Sequence, residues 1–140
     1  MPSFPDTRAG QPAWKRSQLR YWSICQNHAA SQRYVDCVAD HEAVLGARRR
    51  ATFVISDPED RPANATRERG VNWLPYGGIY PSGHVIYRQM LASRRFDHAL
   101  ALVEPQGSLE EVLGPYMPRL AYCSTERFER EGARGCLAGG

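Results

Sequence analysis

Three observations predict a mainly β fold, an antiparallel β-sandwich or jelly roll with one or two short C-terminal helices. Short runs rich in aromatic and β-branched side chains recur between residues 19 and 103. Gly, Pro and Asn punctuate them at short intervals. The capping-box pattern that announces a helix comes only late, at Ser108-Leu109-Glu110-Glu111. At 140 residues the chain is one domain, large enough to bury roughly two-thirds of its unfolded surface.

The elements follow in order. Residues 1–18 carry Pro2, Pro5 and Pro12 without periodicity and are expected to be irregular. Residues 19–26 read as a first strand that stops at Asn27-His28. From Tyr34 onward, Val35, Cys37 and Ala39 alternate with Asp36, Val38 and Asp40, the period-2 pattern of a second strand, so a hairpin should turn near Ser31. Residues 51–56 are a compact β run ended by Asp57-Pro58, because proline lacks a donor and holds its predecessor extended. Residues 57–70 are polar and read as a long surface loop. Val71-Asn72-Trp73-Leu74-Pro75 is a short strand, and Tyr76-Gly77-Gly78 supplies a turn. Residues 84–91 read as a strand covered on both sides except near Arg88 and Gln89, and residues 99–103 as a further strand. A short helix after Ser108 should stop at Gly114-Pro115. Residues 119–123 suggest a last strand, and residues 125–131 a helix ending at Gly132. The β domain thus spans 19–137, with 138–140 a frayed tail.

Composition excludes several classes. Eighteen basic against 15 acidic residues give a net charge of +3, and Lys15 is the single lysine. Arginine suits bidentate pairing with carboxylate or phosphate, so an acidic ligand is permitted. The one basic run, Arg48-Arg49-Arg50, has no interleaved aromatics and lies near Asp57, Glu59 and Asp60, so no nucleic-acid partner is expected. No apolar stretch approaches the ~20 residues of a membrane span, and the first 25 residues contain no signal-like apolar core.

Four cysteines allow three pairings. Cys25 and Cys37 are symmetric about Ser31 and face one another in a regular hairpin; Cys123 and Cys136 bracket the last helix. These two disulfides are the favoured pairs, the alternative being four reduced thiols in a cytosolic protein. No Cys-x-x-Cys occurs, so no zinc site is expected.

The ordered set Arg20-Tyr21-Trp22-Ser23, Val35-Asp36-Cys37, Val54-Ile55-Ser56-Asp57-Pro58, Asn72-Trp73-Leu74-Pro75 and Tyr87-Arg88 resembles an uncharacterised bacterial domain family. In that family the domain is the C-terminal, jelly-roll-like half of larger, often exported proteins. The resemblance covers residues 19–91, and Asn-Trp-Leu-Pro after a Trp-Ser strand is its most specific element. It implies a β fold and supplies no catalytic residues. Two expectations for location stand side by side: cytoplasmic if the chain is complete, extracytoplasmic if it is the C-terminal part of a longer exported protein. An exposed sheet edge or face left by a missing upstream domain would favour a homodimer.

Candidate chemistry is sparse. The histidines, at 28, 41, 84 and 98, never repeat at a metal-ligand spacing. Asp36, Asp40, His41 and Glu42 are clustered, and Asp57, Glu59, Asp60 and Asn64 offer oxygen ligands, but both groups read better as polar surface; no metal and no cofactor is expected. No Gly-x-Ser-x-Gly or catalytic-cysteine context is present, and Ser23, Ser56 and Ser82 have no triad context. An acid–base pair would have to come from His84 or His41 with Asp36 or Glu42, which makes a small hydrolase or isomerase one alternative. The more economical site is aromatic with an arginine: Trp73, Tyr76 and Tyr87, with Trp22 and Tyr80 near them, and Arg88 pairing Asp36 or a ligand carboxylate. The leading expectation is therefore a non-catalytic β domain binding a small apolar or acidic molecule. A structural module packing on an upstream domain or a second copy is the other alternative.

Overall fold

A computed structural model describes residues 1–77 and 82–138. The aromatic and β-branched run after Arg20 forms β1 (Tyr21–His28), and the alternating run beyond Gln32 forms β2 (Tyr34–Ala39). Gln32 adopts a φ of 57° in the connecting turn, and its side-chain amide donates to the Ala29 carbonyl at 2.6 Å. β3 (Thr52–Ser56), β4 (Val71–Pro75) and β5 (Gly83–Met90) follow. Gly78 of the predicted turn, and Tyr80, lie outside the described residues.

β1 is the central strand of an antiparallel sheet ordered β2-β1-β5. β3 and β4 pair separately and in parallel, Val54 beside Trp73 and Ile55 beside Leu74. That pair departs from an all-antiparallel arrangement. The connection over residues 57–70 folds through tight turns at Asp57–Asp60 and Pro62–Ala65 and a 3-10 turn at Arg67–Arg69, and it is long enough to return the chain to the start of β3, which a parallel crossover requires.

Strand alternation builds three layers. Trp22 and Ile24 of β1 point down onto Leu74 of β4, with Leu19, Phe96 and Ala99 closing the main core and Phe53, Ile55, Val38 and Tyr87 around it. Trp22 and Leu74 are fully buried. The opposite face of the β3–β4 pair, Val54, Val71 and Trp73, packs on Phe128, Ala133 and Cys136 of the C-terminal helix. The Asn-Trp-Leu-Pro motif is thereby explained residue by residue. Asn72 donates to the Val44 and Thr52 carbonyls at 3.0 and 3.1 Å and accepts from Val44 N at 2.8 Å; Trp73 serves the helix side; Leu74 fills the core; Pro75 ends the strand.

The cysteine pairing is as expected. Cys25 and Cys37 are direct cross-strand partners, Cα atoms 4.0 Å apart, and are disulfide-bonded. Cys123 bonds Cys136 across a Cα separation of 5.5 Å. The helices are also where the caps placed them. α1 (Leu109–Leu113) starts at Ser108, whose hydroxyl accepts Glu111 N at 3.1 Å. α2 (Thr125–Ala138) breaks at Gly132, with φ 64° and ψ −171°, the predicted stop. It resumes because Cys136 is tied to Cys123 and Arg127 donates across the break to the Gly135 carbonyl at 2.8 Å.

Four expectations need correction. Residues 99–103 are not a strand: Leu100–Leu102 is a 3-10 turn, its first amide taken by the Gln89 side chain at 2.9 Å. Residues 119–123 pair with no strand. β5 is an edge strand and is not covered on both sides: besides Arg88, where an opening was expected, Val85 and Met90 are exposed. The 57–70 loop is not wholly at the surface, since Pro62 and Ala65 are buried and Ala65 belongs to the helix-side cluster. Residues 1–18 contain no strand, as expected, yet they are docked: Ser3 and Gln18 exchange hydrogen bonds at 2.8 and 3.0 Å, while Met1 and Phe4 pack on the main core.

Candidate functional site

β2 ends in a turn at Asp40-His41-Glu42, where Asp40 continues the hairpin ladder by donating its amide to the Trp22 carbonyl at 3.0 Å. The Asp40 side chain is buried, and its two oxygens accept the amides of Trp22 at 3.1 Å and His41 at 2.8 Å. A buried carboxylate is tolerated when backbone donors satisfy it in this way. Glu42 accepts the Ala39 amide at 3.1 Å. The His41 ring is set between the two acids, Nδ1 3.4 Å from Asp40 and Nε2 3.7 Å from Glu42.

This turn forms one wall of a cleft of about 390 Å³ at the start of β1. Phe4, Pro5, Asp6, Thr7 and Arg8 of the docked N-terminal segment form another wall, and Arg20, Tyr21 and Met90 complete it. Tyr21 and Met90 are direct partners across β1 and β5, and the Arg20 amide donates to the Met90 carbonyl at 3.1 Å. The charges in the cleft differ in kind. Asp40 is saturated by backbone donors, and Asp6 accepts the Ala9 amide at 3.0 Å. Among the described residues, the guanidinium groups of Arg8 and Arg20 have no hydrogen-bond, ion-pair or ring partner. Phe4, Tyr21 and Met90 supply apolar surface beside them. The arrangement can hold an anion against an apolar wall.

Among the site residues singled out from sequence, His41 and its cluster neighbour Asp40 line this cleft. Asp36 sits opposite Gln26 and His84 opposite Asn27, so their side chains leave opposite faces of the sheet and do not meet. Asp36 instead accepts its neighbour's amide, Cys37 N, at 2.8 Å. The aromatic set is dispersed as well. Trp73 faces α2, under the Arg61 guanidinium at 4.5 Å from the ring centroid, and donates to the Ser56 hydroxyl at 3.0 Å. Tyr76 accepts the Gly83 amide through its phenol at 3.3 Å. Tyr87 joins the main core, where burial pushes its phenol above the usual tyrosine range, and it accepts from the Gln89 amide at 3.0 Å.

Arg88 is exposed, not enclosed in a covered strand, and among the described residues it has no partner, Asp36 included. It lies opposite Ser23, on the same sheet face as Tyr21 and Met90 and one row from the cleft. Sequence reasoning missed Phe4, Arg8, Arg20, Tyr21 and Met90 as a group. Arg20-Tyr21 heads a predicted strand and was available as a signal; residues 4–8 carry no periodicity that would reveal their docking.

The remaining histidines brace the fold. His98 Nδ1 lies 2.8 Å from the Val112 carbonyl and its ring packs on Phe96 and Tyr116, while buried His28 meets the Ser31 hydroxyl at 2.7 Å in the hairpin turn. Among the described residues, no group of three or more His, Cys, Asp or Glu side chains is placed to hold a metal ion. No helix among them is long and apolar enough to cross a membrane. No family model matches the sequence, and no curated protein or solved structure matches the chain.

Proposed function

We propose that this chain is a non-catalytic β domain that binds a small acidic molecule with an apolar body in the cleft at the start of β1. One observation carries the reading: two guanidinium groups without a partner among the described residues, Arg8 and Arg20, share a cleft of about 390 Å³ with Phe4, Tyr21 and Met90. That volume falls within the range of small-molecule sites, and apolar walls with a few polar anchors are their usual lining. Arg20, half-buried, pairs the anionic group; Arg8, exposed, closes over it; Tyr21 and Met90 receive the apolar part.

The non-catalytic part of the reading is supported by the environment of the histidines. The Nε2 atom of His41 is buried and without a hydrogen bond, and Nδ1 faces Asp40, so neither nitrogen is presented to a bound molecule as a base. Among the described residues, His84 has no ion-pair partner. Two disulfides among four cysteines support work in an oxidising compartment. The packing of the β2-β1-β5 sheet on the β3–β4 pair supports a small sandwich of the jelly-roll-like kind that the sequence resemblance implies.

Intact mass measured on natively purified protein, first under native and then under denaturing conditions, tests the reading. A mass excess that disappears on denaturation, and that is absent from Arg20→Ala, is the expected result. The same excess retained by Arg20→Ala would place the molecule elsewhere and reject this cleft.

A further inference from the structure

The walls of the cleft belong to two bodies. Arg20, Tyr21 and Met90 are part of the sheet, whereas Phe4 and Arg8 lie in a segment, residues 1–8, that contains no helix or strand and docks against it. The docking contacts are few. The Ser3 carbonyl accepts the Leu19 amide at 3.0 Å, the Ser3 amide donates to the Gln18 side chain at 2.8 Å, and Pro2 is buried. The Phe4 ring meets fully buried Trp22 edge-on, with centroids 6.3 Å apart.

A single residue clasps this segment from its other side. Arg49 donates to the Pro2 carbonyl at 2.9 Å and to the Met1 carbonyl at 3.3 Å, and its guanidinium lies over the Phe4 ring, 5.7 Å from the centroid. Its own carbonyl accepts from the Met1 nitrogen. Arg49 stands in an exposed loop, residues 46–50, closed by a bond from the Gly46 amide to the Arg50 carbonyl at 2.7 Å. Arg48 and Arg49 adopt φ values of 55° and 56° there, the only consecutive pair of non-glycine residues in the left-handed region among the described residues. A side chain makes that conformation unfavourable, and it persists where surrounding contacts enforce it. Outside the loop, the hydrogen bonds and the ring contact of Arg49 all go to residues 1–4. Docking of the segment and strain in the loop are therefore one event.

We propose that the 46–50 loop is a latch that regulates the cleft by setting how firmly residues 1–8 dock, although none of its own residues lines the cleft. The ligand side of this inference rests on the cleft reading given above. A molecule held between Phe4 and Arg8 on the docked segment and Arg20 and Tyr21 on the sheet binds the docked state alone, so binding and docking favour each other to the same extent. The strain at Arg48 and Arg49 opposes docking, and the Arg49 guanidinium favours it. Phe4 carries the coupling, since its ring touches the guanidinium on one side and lines the cleft on the other. Arg49 is thus a positioning residue.

Hydrogen exchange of the Ser3 and Leu19 amides in the oxidised 140-residue protein reads docking directly, because their bonds join the segment to residues 18 and 19. Arg49→Ala should lower their protection about 30-fold, as expected for losing hydrogen bonds from a charged group. Arg48→Gly, which adopts a positive φ freely, should raise it about 5-fold. The amide of buried Ile24 in β1 should keep its protection in both variants. Phenylacetate at ten times its Kd should raise protection at Ser3 and Leu19 about 10-fold in the native chain. Protection at Ser3 and Leu19 unmoved by either substitution, or lost equally at Ile24, would overturn the latch. Phenylacetate that binds without raising that protection would overturn the coupling to the cleft. Phenylacetate that does not bind at all would reject the cleft reading itself and the regulatory role with it, even where both substitutions move the segment as expected.

Discussion

Replacing Cys25 and Cys37 together by alanine removes a cross-link between directly paired residues of the hairpin. The bond closes a loop with a sequence separation of 12, and the chain-entropy relation for a loop of that size gives about 3 kcal/mol of lost stability. The Cys123–Cys136 bond, with a separation of 13, gives the same figure. The native consequences differ. Cys25 is buried in the central strand, in a hairpin both of whose strands border the main core, so the first loss should appear in global unfolding. α2 is anchored on the small cluster of Phe128, Ala133 and Cys136, so the second should appear as early local opening of that helix. Urea unfolding followed by tryptophan fluorescence reports the first through fully buried Trp22. With a slope of about 2 kcal/mol/M, the midpoint falls by about 1.5 M. Hydrogen exchange of the α2 amides reports the second. A global loss below about 1 kcal/mol for Cys25→Ala/Cys37→Ala would refute the reasoning, as would an α2 that keeps its protection without Cys123–Cys136.

Other perturbations test separate parts of the structure. Asn72→Ala leaves the Val44 amide and the Val44 and Thr52 carbonyls without their buried partner and should cost about 2–3 kcal/mol in urea unfolding; a loss under 0.5 kcal/mol would show that water replaces the side chain. At Gly83, an added methyl would collide with the side-chain nitrogen of fully buried Gln26 and press on Gly77 at 3.1 Å, so Gly83→Ala should destabilise by about 1–3 kcal/mol and lower the thermal midpoint. Burial raises the Tyr87 phenol above its unfolded value, so the native state favours the protonated form. Its contribution is intact below about pH 10 and is lost as pH rises through the folded value. Tyr87→Phe should therefore flatten the alkaline decline in stability, and an unchanged alkaline limb would contradict that assignment. Arg88→Ala should leave the unfolding midpoint unchanged within about 0.5 kcal/mol, since the side chain is exposed and unpartnered; a marked loss would reveal a structural role.

The parts of the fold legible in the sequence were those governed by local chemistry. Period-2 alternation placed β2, Pro58 and Pro75 marked where β3 and β4 stop, Ser108 marked the start of α1, and Gly132 marked the break in α2. Symmetry about the hairpin turn was enough to pair Cys25 with Cys37, because register in a hairpin follows from the turn. Long-range choices were not legible. Nothing local in Thr52–Ser56 or Val71–Pro75 says that the two strands run parallel, and nothing in Leu100–Leu102 says that the Gln89 side chain takes its first amide. The aromatic–arginine site failed as a group for a related reason. Tyr87 and Arg88 are adjacent on one strand and therefore face opposite ways, while Trp73 turns to a helix that sequence could not place. The cleft depends on residues 4–8 docking beside β1, a tertiary event with no periodic signature.

The central claim is that Arg20, Arg8, Tyr21 and Met90 together bind a small acidic molecule with an apolar body. The most direct test is a titration of isotope-labelled protein with phenylacetate, then with uncharged phenylacetamide, followed by backbone amide and arginine side-chain resonances. The account predicts saturable shifts confined to residues 4–8, 20–21, 41 and 90 with phenylacetate, and much weaker ones with the amide. Equal response to both compounds, or saturable shifts centred on any other part of the molecule, would contradict it.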